Sequence, residues 1–311
     1  MAAIDVTALT KNFTLPGKRV VEAVRDITLS VEQGERLAYI GPNGAGKSTS
    51  IKILTGILHP TAGDARVLGF VPWRQRKDLA RNIGVLFGQR SQLWFQLTPL
   101  QSYRLLGAIY GLTHAELNDR IDEYGTLLEA TALFGTPVRN LSLGQRMRCE
   151  LTASLLHSPR VLFLDEPTIG LDLVAKQRFR ELIVRLNEEK GTTVFLTSHD
   201  VSDIEQVARR VVVINHGRII YDDRVSVMRR SLLRTKLMEV HFDELPGPLE
   251  IEGVEVIKST DLGYKLSVDT ELRSIREVLD ELLDRYHVGD ISVLDPPLEE
   301  VISQIYEAPQ R

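Results

Sequence analysis

Gly41-Pro-Asn-Gly-Ala-Gly-Lys-Ser-Thr49 is the stretch that decides the fold. From Gly41 to Ser48 it follows the phosphate-loop pattern of Gly, four residues, Gly, Lys, then Ser or Thr. The apolar run Arg36-Leu-Ala-Tyr-Ile40 precedes it, and Ser48-Thr-Ser-Ile-Lys-Ile-Leu54 continues it as an amphipathic helix. That is the strand–loop–helix setting the pattern requires. Gly41, Gly44 and Gly46 read as positions where a Cβ would keep backbone N–H groups from turning in on a phosphate. A helix opening near Lys47 adds its positive dipole end to the same place. Lys47 supplies a mobile cation for the outer phosphates, and Ser48 a hydroxyl for Mg²⁺. Pro42, Asn43, Ala45 and Thr49 complete the loop that wraps the nucleotide.

A second half-site lies far along the chain. Val161-Leu-Phe-Leu-Asp165-Glu166-Pro167 is an apolar run ending in two carboxylates, as in a buried parallel strand whose carboxyl end faces the phosphates. Alone, an Asp-Glu pair reads as a solvated turn; behind such a strand and beside a phosphate loop it reads as catalytic. Asp165 is expected in the Mg²⁺ shell through a water, and Glu166 is expected to orient or deprotonate the attacking water. Thr193-Val-Phe-Leu-Thr197 is another short apolar strand, delivering Ser198 and His199 at its end. A lone histidine at a strand end is usually structural, but here it meets the chemistry, so contact with the γ-phosphate is expected. Gln89, after Ile83-Gly-Val-Leu-Phe-Gly88, is uninformative by itself.

Leu141-Ser-Leu-Gly-Gln-Arg-Met-Arg148 is a Ser-x-Gly-Gln turn opening a helix before the Asp-Glu strand, and it resembles the signature motif of ABC ATPase cassettes. Gly41–Thr49, Gln89, Leu141–Gln145, Val161–Glu166, Ile169–Asp172 and His199 follow in that family's order, and the resemblance covers residues 3 to about 224. Phe87–Trp94, Leu141–Cys149 and Asp165–Asp172 look most like cassettes of two-subunit exporters of the drug, antibiotic and polysaccharide branch. The resemblance implies an α/β fold: a mixed sheet core, a β subdomain and a helical subdomain at about 98–157. It implies that Phe13 stacks on adenine where the family has Tyr, keeping the π face. It places Gln89 with Ser48 and Asp165 around Mg²⁺. It implies that Ser142, Gly144 and Gln145 close on the ATP of a partner cassette, in a homodimer or paired cassette with head-to-tail symmetry. Asp172 then serves communication across the dimer. Two departures stand out: Leu143 replaces the first Gly of the signature pair, and Ile169-Gly170 replaces Ser-Ala before Leu-Asp. Neither removes a catalytic group, so an active ATPase is expected.

Composition agrees. The chain has 311 residues, 43% hydrophobic and 26% charged, enough for a full core and two domains. A net charge of −4 gives no electrostatic case for nucleic acid, and none is expected as a partner. The basic stretch Arg74-Gln-Arg-Lys77 with Arg81 and Arg90 lacks an aromatic platform and reads as a solvated face, with docking near Gln89 as the minority reading. One cysteine, Cys149, excludes a disulfide framework and suits a reducing cytosol. Met1-Ala-Ala-Ile-Asp5 lacks the features of a signal peptide, and no stretch approaches the roughly 18 apolar residues of a membrane span. The expectation is a peripheral protein on the cytoplasmic face of the membrane, paired with a separate transmembrane subunit. Chromosome and repair ATPases need a long coiled coil for which Ser50–Asn140 leaves no room. A soluble cofactor-assembly ATPase and an importer remain as alternatives.

Short β elements are expected over residues 3 to about 40 with a turn at Pro16-Gly17, a phosphate-loop helix over 47–58, and a turn from Pro60 to Gly63. Helical periodicity over 98–157 breaks at Gly111 and Gly135-Thr-Pro137. Strands are expected at 161–164, 193–197 and 211–214, with a hairpin turn at His216-Gly217. Character changes after Arg224, and 225–311 reads as a small α+β accessory domain that packs or stabilises a dimer, with a regulatory or substrate-sensing role as the alternative. Its expected elements are strands at 236–242, 264–268 and 288–294, a turn at Pro246-Gly-Pro248, a helix over 271–286 and a last helix over Pro297–Tyr306. Leu272, Ile275, Val278, Leu279 and Leu282 would share one face of the 271–286 helix.

Overall fold

The computed structural model describes residues 2–14, 16–17, 20–88, 91–231, 235–246, 249–294, 302 and 305. The chain divides into two compact units, Met1–Asp223 and Arg224–Arg311. In chain order the first runs β1 (Ala2–Thr14), β2 (Val20–Glu32), β3 (Arg36–Ile40), α1 (Lys47–Leu54), β4 (Ala62–Val67), α2 (Arg76–Ala80), β5 (Ile83–Phe87), α3 (Pro99–Tyr110), α4 (His114–Leu127), α5 (Leu143–Leu155), β6 (Val161–Asp165), α6 (Leu173–Lys190), β7 (Thr193–Thr197), α7 (Val201–Val207), β8 (Arg210–Asn215) and β9 (Arg218–Arg224). The second carries α8 (Val225–Ser231), β10 (Thr235–Phe242), β11 (Val254–Ser259), β12 (Gly263–Asp269), α9 (Ile275–Arg285) and β13 (Val288–Leu294).

Arg36-Leu-Ala-Tyr-Ile40 is buried along its whole length, as a strand covered on both faces must be. It lies between β7 and β8 in a six-stranded sheet of order β5-β6-β7-β3-β8-β9. The pairs β5–β6, β6–β7, β3–β7 and β3–β8 are all parallel. Side-chain alternation splits the core between the two faces. Leu162, Leu164, Val194 and Leu196 join Tyr103, Tyr124, Met147, Leu151 and Phe179 on the helical side. Val161, Phe163, Phe195, Tyr39 and Val212 join Val6, Leu29, Ile51 and Ile53 on the other. A separate antiparallel sheet of order β2-β1-β4 supplies that second layer.

Helix ends follow their caps. Thr98 and Gln101 form a capping box at α3, Thr113 and Glu116 at α4, Ser142 and Gln145 at α5. Gly111, at φ +73, closes α3. The break at Gly135–Pro137 sits between two single 3₁₀ turns, Thr131–Leu133 and Val138–Asn140. In the second unit, β10 is central in the antiparallel sheet β11-β12-β10-β13, and α9 covers one face through Val278 and Leu282 against Met238, Val240, Phe242 and Leu266.

Several expectations are corrected. The first strands are long, 13 residues each, because bulges between β1 and β2 absorb the twist that would otherwise end them. The phosphate-loop helix stops at Leu54, since Gly56 takes φ +74 and the Thr55 hydroxyl donates back to the Ile51 carbonyl. Of the Pro60–Gly63 turn, Ala62 and Gly63 belong instead to β4. Leu272 is 70% exposed and precedes α9, because the Ser274–Glu277 capping box starts that helix at Ile275. Strands β4 and β11 and helices α2, α6, α7 and α8 have no counterpart among the expected elements. Gly247-Pro248 of the expected turn lies outside the described residues, as does nearly all of 297–306.

Candidate nucleotide site

The carboxyl ends of β6, β7 and β3 are neighbours in the sheet, so Asp165-Glu166, Ser198-His199 and the Gly41–Gly46 loop emerge along one edge. Lys47, the first residue of α1, is 7% exposed. Its ammonium donates to the Gly41 carbonyl at 2.5 Å and the Pro42 carbonyl at 3.3 Å, and lies 3.3 Å from His199 Nε2. Burial lowers its pKa, while the charges of Glu166 and Asp165 oppose that shift. Asp165 Oδ1 accepts from the Thr197 hydroxyl at 2.7 Å and from Ser48 Oγ at 3.3 Å. The Glu166 amide donates to the Thr197 carbonyl and hydroxyl at 3.1 and 3.2 Å.

Glu166 is at φ +54, in the left-handed region that side chains avoid. That backbone bend turns its carboxylate off the strand's alternation and towards His199. Its Oε2 accepts from the His199 amide at 3.2 Å. Oε1 is buried and accepts no hydrogen bond among the described residues, although His199 Nε2 stands 3.3 Å away. Burial raises the Glu166 pKa, against the lowering influence of His199 and Lys47. A buried acceptor with an open lone pair, next to a cation, is placed to take a proton from water.

The glycines work differently from the sequence-based expectation. A Cβ on Gly41 would lie 2.1 Å from the Ile214 carbonyl oxygen, and one on Gly46 would lie 2.4 Å from that of Ala23. Both are needed because neighbouring chain presses on the loop's back. Gly44 meets nothing within 4 Å and is set by its φ of +81. Helix α1 opens without a side-chain cap and without an acid in its first turn. Its first N–H groups are therefore free of intrahelical acceptors and suit an outside phosphate. For a hard cation the donor set is Ser48 Oγ and Asp165. No cluster of three metal-ligating residues exists among the described residues, so phosphate and water oxygens would have to complete such a shell.

The remaining expected residues fall in two places. Phe13 sits on β1 opposite Val21, with the Lys11 ammonium 5.1 Å from its ring centroid. Ser142 is exposed and caps α5: its hydroxyl accepts from the Gln145 amide at 3.3 Å, and Gln145 Oε1 accepts from the Ser142 amide at 2.9 Å. Asp172 caps α6, accepting from the Ala175 amide at 2.8 Å. Ser142, Gly144 and Gln145 make no hydrogen bond to the Lys47–Glu166 cluster among the described residues. Gln89 and Arg90 lie outside the described residues.

Two buried carboxylates escaped the sequence reading. Asp203 on α7, fully buried, accepts from the Thr168 hydroxyl at 2.6 Å, the Ser198 hydroxyl at 2.7 Å and Arg180 Nε at 2.7 Å. It thereby joins the residue two beyond Glu166 to the residue before His199. Glu150 on α5 accepts from the Ser91 hydroxyl and from the Gln92 and Leu93 amides, fixing the turn that follows residues 89–90. Desolvation raises its pKa, and those donors oppose the shift. Next to it Cys149 is buried, its thiol pushed up to about 12 by burial. The only local hint of Asp203 was an acid in the first turn of a helix, which is ordinarily a dipole partner.

The comparisons with known proteins bear on this geometry. Residues 24–169 match the ABC transporter family model. The chain is 34% identical over 204 residues to the ABC transporter ATP-binding protein NatA of Bacillus subtilis, covering 66% of this chain and 82% of that protein. The chain belongs to the ABC transporter ATP-binding family. It is also 31% identical over 282 residues to the daunorubicin/doxorubicin resistance ATP-binding protein DrrA of Streptomyces peucetius, covering 90% of this chain and 81% of that protein. Among solved structures it resembles the dimeric post-hydrolysis state of the ATP-binding cassette MJ0796 bound to ADP and Pi, with TM-score 0.67 and 25% identity over 71% of this chain and 98% of that one. This ABC protein is thus an ATP-binding ATPase of a family whose cassettes dimerise. No described helix is long and apolar enough to cross a membrane.

Replacing Asp203 by Ala leaves Arg180, 4% exposed, with Asp200 at 3.3 Å as its carboxylate partner among the described residues. The expected loss is about 3–5 kcal/mol of stability, against about 1 kcal/mol for Thr168→Val. Urea denaturation of both variants checks the ranking.

Proposed function

We propose that this ABC ATPase powers an exporter, as a peripheral subunit on the cytoplasmic face of the membrane bound to a separate transmembrane subunit. The observation that carries the hydrolytic half is the Lys47–Asp165–Glu166–His199 cluster at an uncapped helix N-terminus. Exporter rather than importer is supported by the likeness to a protein named for daunorubicin and doxorubicin resistance over most of both chains. Residues 1–224 form the cassette, with a helical subdomain at about 98–157, and 225–311 form an accessory domain.

In this reading the Gly41–Thr49 loop and the first N–H groups of α1 hold the phosphates, Lys47 reaches the outer two, and Phe13 stacks on adenine. Ser48 and Asp165 hold Mg²⁺ with Gln89, Asp165 through a water. A cation held there would supply positive charge to offset that of the outer phosphates. Glu166 accepts the proton of the attacking water. His199, held by its own amide on Glu166, contacts the γ-phosphate. Two chains pair head to tail, and Ser142, Gly144 and Gln145 of each close on the ATP held by the other, with Asp172 beside the junction. Ser142 is exposed and makes no hydrogen bond to the Lys47–Glu166 cluster among the described residues, which supports a role on a neighbouring chain rather than its own.

Lys47→Ala removes the ammonium beside the outer phosphates and should weaken ATP binding by about a hundredfold, measured by equilibrium dialysis. Near-parent affinity would contradict the loop's role.

Glu166→Gln keeps the shape of the site but has no carboxylate to take the proton. ATP binding should persist while turnover falls by about a hundredfold or more. The variant should accumulate as an ATP-bound dimer on size exclusion. Substantial residual hydrolysis would mean another group activates the water.

Ser142→Arg should spare ATP binding by the monomer and block both dimer closure and hydrolysis. Mixed with Lys47→Ala it should recover at most one composite site per dimer. Parent-rate hydrolysis by Ser142→Arg with its membrane subunit would exclude the head-to-tail arrangement.

A further inference from the structure

Of the positions where the chain departs from its family's pattern, Leu143 and Gly170 lie against each other. Gly170 takes φ +78, and a Cβ there would lie 2.4 Å from Leu143 Cδ2 and 2.8 Å from its Cγ. The Leu143 side chain therefore fills the space into which any side chain at 170 would project. One residue further on the contact is backbone to backbone: a Cβ on Gly144 would stand 3.0 Å from the Gly170 carbonyl oxygen and 3.6 Å from Leu171 Cδ2. The first turn of α5 thus rests on the loop between Glu166 and α6. That loop is tied down at both ends, by Thr168 on Asp203 and by Asp172 capping α6. Leu143 nevertheless stays 41% exposed, so it is not a core residue whose burial alone would explain it.

We infer that Leu143 is a positioning residue: with Gly170 it interlocks the Ser142 turn with the loop that follows Glu166 in the same chain. The backbone approach of Gly144 to the Gly170 carbonyl, with Leu143 over Gly170, leaves that turn little room to shift without the loop. The pose of Ser142, offered to the partner's ATP, is then set by the same loop that carries the end of the catalytic strand. The two departures compensate each other: glycine at 170 makes room for leucine at 143. The inference rests on the head-to-tail reading above.

A double-mutant cycle in the full-length Glu166→Gln chain tests it, reading ATP-dependent dimerisation by sedimentation and ATP affinity of the monomer by equilibrium dialysis. Left-handed strain at 170 affects Gly170→Ala whatever stands at 143, whereas the collision needs Leu143. Gly170→Ala should weaken dimerisation by about tenfold with Leu143 present and by no more than about threefold in a Leu143→Gly background. Leu143→Gly alone should weaken dimerisation, Leu143→Met should preserve it, and monomer ATP affinity should not change in any variant. Equal losses from Gly170→Ala in both backgrounds would overturn the interlock. So would Leu143→Gly dimerising like the parent, a result that decides the matter even if Gly170→Ala does not fold. If the parent Glu166→Gln chain stays monomeric with ATP, the head-to-tail reading falls and the interlock with it.

Discussion

A buried ammonium facing two carboxylates at one edge of a parallel sheet is the interaction on which the rest of the first unit depends. Lys47 has little water of its own, and burial alone would push it towards neutrality; the charges of Glu166 and Asp165 resist that. Glu166 is in the mirror position, raised by burial and held down by Lys47 and His199. Each of these charges lowers the cost of burying the others. Because they come from three chain segments, the sheet must place β3, β7 and β6 side by side and in register. The apolar layers on both faces are what hold that alignment.

Polar anchors hold the loops at this edge. Loops are rich in unpaired N–H and hydroxyl donors, and a buried carboxylate satisfies several at once. Asp203 does so for the segments flanking Glu166 and His199, and Glu150 for residues 91–93. Both carboxylates sit on helices, α7 and α5, which packing keeps in place. Precision at the site therefore derives from helix packing relayed through single charged groups.

What the sequence disclosed follows from how local each feature is. The loop of Gly41–Thr49, the strand ending in Asp165 and the strand preceding His199 carry their meaning in contiguous residues, so all three were legible. The two-residue turn at His216-Gly217 was legible for the same reason, and both residues take positive φ. Asp203 and Glu150 were not, since an acid in a helix looks the same whether it meets solvent or three donors from distant segments. Glycine roles were half legible: the pattern announced that a Cβ was intolerable at 41 and 46, but the atoms that forbid it belong to Ile214 and Ala23. Leu272 continued the apolar period of α9 and was misplaced because capping, not periodicity, decides where that helix begins.

The burial of Cys149 has a practical consequence. It is the chain's one cysteine, shut from solvent and kept protonated far above neutral pH. Thiol reagents attack the thiolate, so the folded native chain should react slowly with maleimides and alkylating agents. A single cysteine introduced on an exposed turn can carry a spectroscopic label without first stripping the natural one from α5. Covalent tagging of the unmodified chain, conversely, becomes a direct gauge of how often that helix comes loose.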